Sequence, residues 1–210
     1  MIGIILVTAA LCVAGMLWSE QRQPRLEWLF KPLASLCFIA LALQAGALDS
    51  AFGQWLLVGL ILCMAGDVLL IPVNDRCFLA GLGSFLAGHL LYSVAFLQLP
   101  VNTSTMLMGL VPALLLAVFS LRWLWPHVPR PMQYPVLAYI AVICSMLLLA
   151  GGTLGSGPGI FILVGAWGFA ISDLAVARNQ FVARGMINRY WGIPLYFSSQ
   201  MLLAYSAGLT

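Results

Sequence analysis

The sequence predicts an all-α, polytopic transmembrane bundle of eight spans with both termini extracytoplasmic. Three observations carry this. Hydrophobic residues make up 63% of the 210 and charged residues 7%, against roughly 25% charged in an ordinary globular protein. Fifteen charged side chains cannot cover a soluble surface. The apolar residues fall into runs of membrane-spanning length, and the basic residues all lie between those runs or at their ends, on one side.

A spanning helix needs about 20 mostly apolar residues. Charged residues and Pro-Gly clusters cut the chain into runs at 2–18, 30–48, 54–71, 77–98, 104–125, 132–150, 159–177 and 190–208. Backbone groups in lipid must be satisfied internally, by helices or by a closed barrel. Barrel strands alternate apolar and polar residues. Ile2–Leu6 and Leu114–Val118 do not alternate, so the runs are read as helices. The first run is read as a span and not a cleaved leader, because the basic residues follow it. The loops that remain are short, so residues 1–210 are read as a single transmembrane domain and any chemistry belongs inside the bundle or at its rim.

The orientation comes from charge. Arg22, Arg25, Lys31, Arg76, Arg122, Arg130, Arg178, Arg184 and Arg189, all nine basic residues, follow the odd-numbered spans. The positive-inside rule assigns those loops to the cytoplasm. The basic balance is thus a topology signal, and no basic-aromatic interleaving suggests nucleic acid. The five cysteines form no CxxC pair and read as small apolar packing residues. Gly81, Gly88 and Gly109 read as close helix contacts.

Ionisable groups inside spans are costly and mark function by default. Asp67 and Asp173 sit near the cytoplasmic ends of spans 3 and 7, each about 7 Å deep at a rise of about 1.5 Å per residue. The other acids, Glu20, Glu27, Asp49 and Asp75, are assigned to loops. Lys31 opens span 2 on the same side. Tyr196 and Gln200 share one face of span 8, and Phe85, His89 and Tyr92 share one of span 4. Two carboxylates facing one pocket permit general acid and base roles. A zinc site would ask for three protein ligands, and the spans present one His and two Asp without close spacing, so no metal is expected, and acid–base chemistry by two carboxyls needs no organic cofactor. GxSxG, HExxH and Walker loops are absent from the sequence.

The chain resembles the YhhN-like lysoplasmalogenase family of eight-span membrane proteins. The resemblance is carried by Lys31-Pro32, Gly66-Asp67-Val68-Leu69-Leu70, Phe78 through Gly81, Phe85, Gly88-His89 and Tyr92, then Ser172-Asp173 and the stretch from Tyr196 to Ser206. Ser199 stands where the family pattern often has Gly. The resemblance implies hydrolysis of the vinyl-ether bond of lysoplasmalogens to a fatty aldehyde and a glycerophospho-ethanolamine or -choline. Asp67 and Asp173 are the expected catalytic pair. Lys31, Arg178 and Arg189 are expected around the lysophospholipid phosphate, with Asn74 beside them. Phe85, His89, Tyr92, Tyr196 and Gln200 complete the expected substrate site. The expected location is a bacterial inner membrane among membrane lipids, with the site open to the cytoplasmic leaflet and no nucleic-acid partner. Rival readings are a small-solute transporter, for which an acid near the end of the third span of each half is a faint repeat, and an intramembrane aspartyl protease. Against the protease, Met64 replaces the first glycine of GxGD. A lipid-binding member with lost or altered activity is a third.

Overall fold

The computed structural model describes residues 1–19 and 22–210; Glu20 lies outside them. Among the described residues the chain forms α1 (Ile2–Ser19), α2 (Glu27–Gln44), α3 (Ala51–Leu69), α4 (Asp75–Phe96), α5 (Thr103–Met108), α6 (Leu110–Leu124), α7 (Arg130–Gly152), α8 (Gly159–Ala177) and α9 (Met186–Ser206). Seven of these segments are long and apolar enough to cross a membrane, with α5 and α6 counted as one. The eighth apolar run corresponds to α9, 21 residues long but more polar.

Several helices start earlier than the apolar runs do. Glu27 and Asp75, expected in loops, occupy the first positions of α2 and α4. An acid there is favoured by the positive end of the helix dipole. Ser50 and Asn74 cap α3 and α4 by accepting from Gly53 N (3.1 Å) and Cys77 N (2.8 Å), which satisfies otherwise orphaned donors. Arg189 lies inside α9 rather than in the preceding loop.

The fifth run is not one helix. α5 ends at Met108, and Gly109 bonds back to Thr105 and Met106 carbonyls at 3.2 and 3.1 Å. Gly weakens a helix, and Pro112 has no N–H to offer the Met108 carbonyl. Gly109 thus marks a break and not the helix–helix contact expected of it.

The most extensive pairings are α3 with α4 and α8 with α9. Small residues allow the first. A Cβ on Gly88 would lie 2.9 Å from Cys63 Sγ and 3.1 Å from the Gly59 carbonyl oxygen. A continuous core draws on these helices and on α1, α2, α6 and α7, and includes Phe38, Leu60, Phe85, Tyr92, Phe169 and Phe197. All five cysteines are free thiols.

Candidate active site

A cavity of about 230 Å³ opens among α2, α3, α4, α6, α7, α8 and α9, and both aspartates line it. Asp67 lies in the last turn of α3 and is buried at 2% exposure. Asp173 lies in the last turns of α8. Carboxylates near the negative end of a helix need compensating donors. The structure supplies hydroxyls.

Asp67 Oδ2 accepts from the Ser35 hydroxyl at 2.7 Å and from the Tyr196 hydroxyl at 2.8 Å. Ser35 is one turn along α2 from Lys31, whose side chain lines the same cavity. Asp173 Oδ2 accepts from the Tyr139 hydroxyl of α7 at 3.0 Å. Ser35 and Tyr139 escaped the sequence reading. Ser35 carried a signal, the spacing of four from Lys31; Tyr139 carried only its polar tip inside an apolar run.

The Asp67 arrangement extends inward. Tyr92 of α4 donates to Gln200 Oε1 at 2.8 Å, and Gln200 Nε2 donates to the Tyr196 hydroxyl at 3.2 Å. Tyr92 and Gln200 are fully buried behind the cavity, outside its lining. His89 is also fully buried. Its Nδ1 is 2.6 Å from the Phe85 carbonyl, which only accepts, so Nδ1 carries the hydrogen. Nε2 has no hydrogen-bond partner among the described residues. The imidazole lies 4.4 Å from Phe169 and 5.4 Å from Tyr139, centroid to centroid. His89 therefore buttresses the cavity wall and does not form part of it.

The basic candidates separate. Lys31 and Arg189 line the cavity, and Arg189 pairs with Glu27 at 2.6 Å. Arg178 bonds Asn188 Oδ1 and is not among the described lining residues. Asn74 is absent from the lining as well, its side chain being engaged in capping α4. Phe85 does line the cavity and meets Phe169 and Tyr196 edge-on, each at 6.0 Å. The rest of the wall is largely aliphatic, including Leu82, Leu116, Ile140 and Ile143. Among the described residues no cluster of His, Cys, Asp and Glu is arranged to hold a metal ion.

Fold and site together define a class: an integral membrane protein of packed apolar helices, with a largely apolar cavity lined by Asp67, Asp173 and Lys31 beside the Glu27–Arg189 pair. The chain belongs to the YhhN family, whose model matches residues 26–207. It is 32% identical over 168 residues to a Mycobacterium tuberculosis protein named lysoplasmalogenase, covering 76% of this chain and 62% of that protein. The chain thus spans about three fifths of that relative's length. It is 31% identical to the human lysoplasmalogenase TMEM86A over 214 residues, 94% of this chain and 85% of the relative. An Escherichia coli O157:H7 membrane protein named YhhN is 28% identical, with 86% of each chain covered. No solved structure matches.

Proposed function

We propose that this protein hydrolyses the vinyl-ether bond of lysoplasmalogens, with Asp67 and Asp173 as its acid–base pair. The observation that carries this reading is the cavity they share: apolar enough for a hydrocarbon chain, with Lys31 in its wall. Relatives named lysoplasmalogenase support the same substrate.

The reaction asks for little machinery. Protonating the β-carbon of the vinyl ether leaves an oxocarbenium ion at the α-carbon. Water adds there and gives up a proton, and the hemiacetal collapses to aldehyde and alcohol. One acid, one base and a negative charge beside the cation suffice, as in glycoside hydrolysis with its similar transition state. Lys31 is suited to the lysolipid phosphate, as a cation to an anion. Arg189 contributes less, since Glu27 offsets its charge. Leu82, Leu116, Ile140 and Ile143 suit the alkenyl chain. Tyr196 and Phe85 belong to the substrate wall; His89, Tyr92 and Gln200 support it from behind. Arg178 and Asn74 serve local structure.

In this reading the chain spans the membrane eight times, with α9 as the last span and both termini extracytoplasmic. The one-sided basic residues support that topology. So does the contact of Thr210 with Ser50 at 3.3 Å, which joins the end of the chain to the α2–α3 turn. The cavity then faces the cytoplasmic leaflet of a bacterial inner membrane.

The test is incubation of purified protein with vinyl-ether and ester lysolipids, followed by mass spectrometry of the products. Aldehyde is expected from the vinyl ether alone. Asp67→Asn and Asp173→Asn in folded protein are each expected to lower turnover by about 100-fold or more, the usual scale for a lost proton-transfer group. Retained turnover in both would sink the two-acid mechanism.

A further inference from the structure

We infer that the two aspartates divide the work in a fixed sense: Asp173 carries the proton at rest, Asp67 remains the carboxylate, and Gln200 sets the division from behind the cavity. The chemical consequence rests on the vinyl-ether reading; the proton assignment rests on the hydrogen bonds and the groups that face each acid.

The argument starts at Gln200. Its amide nitrogen only donates and its amide oxygen only accepts. Nε2 donates to the Tyr196 hydroxyl, and Oε1 accepts from the Tyr92 hydroxyl. Tyr196 has one proton, and Asp67 Oδ2 at 2.8 Å accepts it. The chain Tyr92, Gln200, Tyr196, Asp67 therefore runs one way and ends on an acceptor. Ser35 Oγ lies 2.7 Å from the same Oδ2 and 3.0 Å from the Lys31 carbonyl oxygen, so its one proton is shared between two acceptors, with Asp67 the nearer. Hydrogen bonds to a carboxylate favour its charged form, and so does a cation in the same wall, here Lys31. Turning the amide over would reverse this: Tyr196 would then donate to Gln200, and Asp67 would have to supply the proton between itself and Tyr196.

Asp173 stands differently. Its hydrogen bond comes from Tyr139 alone among the described residues, at 3.0 Å. The other titratable and charged groups of the cavity wall are Glu27 and Lys31 from α2, Cys144 from α7, and Arg189 and Tyr196 from α9. Of these, Glu27 and Arg189 are engaged with each other. Cys63 from α3 and His89 and Tyr92 from α4 stand behind the wall, fully buried. A carboxyl set in this largely apolar wall with one hydroxyl donor is better accommodated neutral than charged.

The division closes the reaction. The Asp173 carboxyl gives its proton to the β-carbon, and the C=C electron pair forms the new C–H bond. The Asp67 carboxylate faces the oxocarbenium ion and takes a proton from water as its oxygen bonds the α-carbon. Asp67 then returns that proton to the glyceryl oxygen as the C–O bond breaks. The hemiacetal hydroxyl proton passes to Asp173 as the aldehyde forms. Both acids end as they began.

Infrared spectroscopy of the purified, substrate-free protein at neutral pH reads the assignment without activity. The carboxylic C=O band, identified by its downshift in heavy water, is expected to vanish in Asp173→Asn and persist in Asp67→Asn. In otherwise unchanged protein, Tyr139→Phe is expected to shift that band and Tyr196→Phe to leave it in place. A band that follows Asp67, or no band in the wild type, overturns the assignment. Gln200→Leu is expected to shift the Asp67 carboxylate stretch and to lower kcat with KM unchanged. An unshifted stretch overturns the positioning role of Gln200. A band that follows Asp173 in a protein releasing no aldehyde would leave the proton assignment standing and remove the vinyl-ether reading.

Discussion

Tyr139 and Asp173 approach from α7 and α8 to form a hydrogen bond of 3.0 Å inside the cavity. Tyr139 is 8% exposed, and its ring also lies edge-on to His89. Removing the hydroxyl leaves a carboxyl oxygen in an apolar wall without that donor, a loss of about 1–3 kcal/mol. Tyr139→Phe is expected to lower kcat by roughly tenfold to 100-fold, at about 1.4 kcal/mol per tenfold. Steady-state kinetics on a vinyl-ether lysolipid check it; an unchanged kcat would remove Tyr139 from the site.

Lys31 is expected to act on binding. It lines the cavity one turn from the Ser35 that meets Asp67. A charge-assisted hydrogen bond to phosphate contributes about 1.5–3 kcal/mol. Lys31→Gln should therefore raise KM roughly tenfold to 100-fold, with a smaller change in kcat. A lysolipid analogue lacking the phosphate should show no difference in KM between wild type and variant. A KM effect of equal size on that analogue would rule out phosphate recognition.

Glu27 and Arg189 join the first turn of α2 to the first turn of α9, 162 residues apart, at 2.6 Å. Their side chains are 15% and 23% exposed, so solvent screens the pair in part. A coupling near the upper end of the exposed range, about 1 kcal/mol, is expected. A double-mutant cycle of Glu27→Gln and Arg189→Gln, read by thermal unfolding in detergent, measures it. Additive effects would mean the pair contributes nothing to docking α9.

Much of this architecture is legible in the chain because lipid permits few alternatives. An Asp inside an apolar run, such as Asp67 or Asp173, stands out by cost alone, and the structure brings both to one cavity. Their partners do not stand out. Ser35 and Tyr139 are ordinary residues for a span, and only the packing of α2 on α3 and of α7 on α8 turns them into donors. Helix starts are hidden in the sequence for a related reason. Glu27, Asp75 and Arg189 look like loop residues by polarity, yet dipole and ion pairing stabilise them in first turns. Asn74 shows the converse: a polar residue beside the expected headgroup position is engaged by the backbone of α4.

The α3–α4 contact supplies a prediction whose sign depends on packing. Replacing an exposed helical glycine with Ala stabilises a helix by about 1 kcal/mol. At Gly59 a Cβ would lie 2.6 Å from the Tyr92 ring and 3.1 Å from the Gly88 carbonyl oxygen. Tyr92 is fully buried and holds Gln200, so it cannot yield freely. Overpacking of this kind costs about 1–3 kcal/mol. Gly59→Ala is therefore expected to lower the thermal midpoint in detergent and to reduce kcat by displacing the Tyr92 hydroxyl from Gln200. Gly83→Ala is the control, since a Cβ there meets nothing within 4 Å. It should leave both quantities unchanged or raise the midpoint slightly. Equal behaviour of the two variants would show that α3 and α4 are not packed as closely as Gly59 and Gly88 allow.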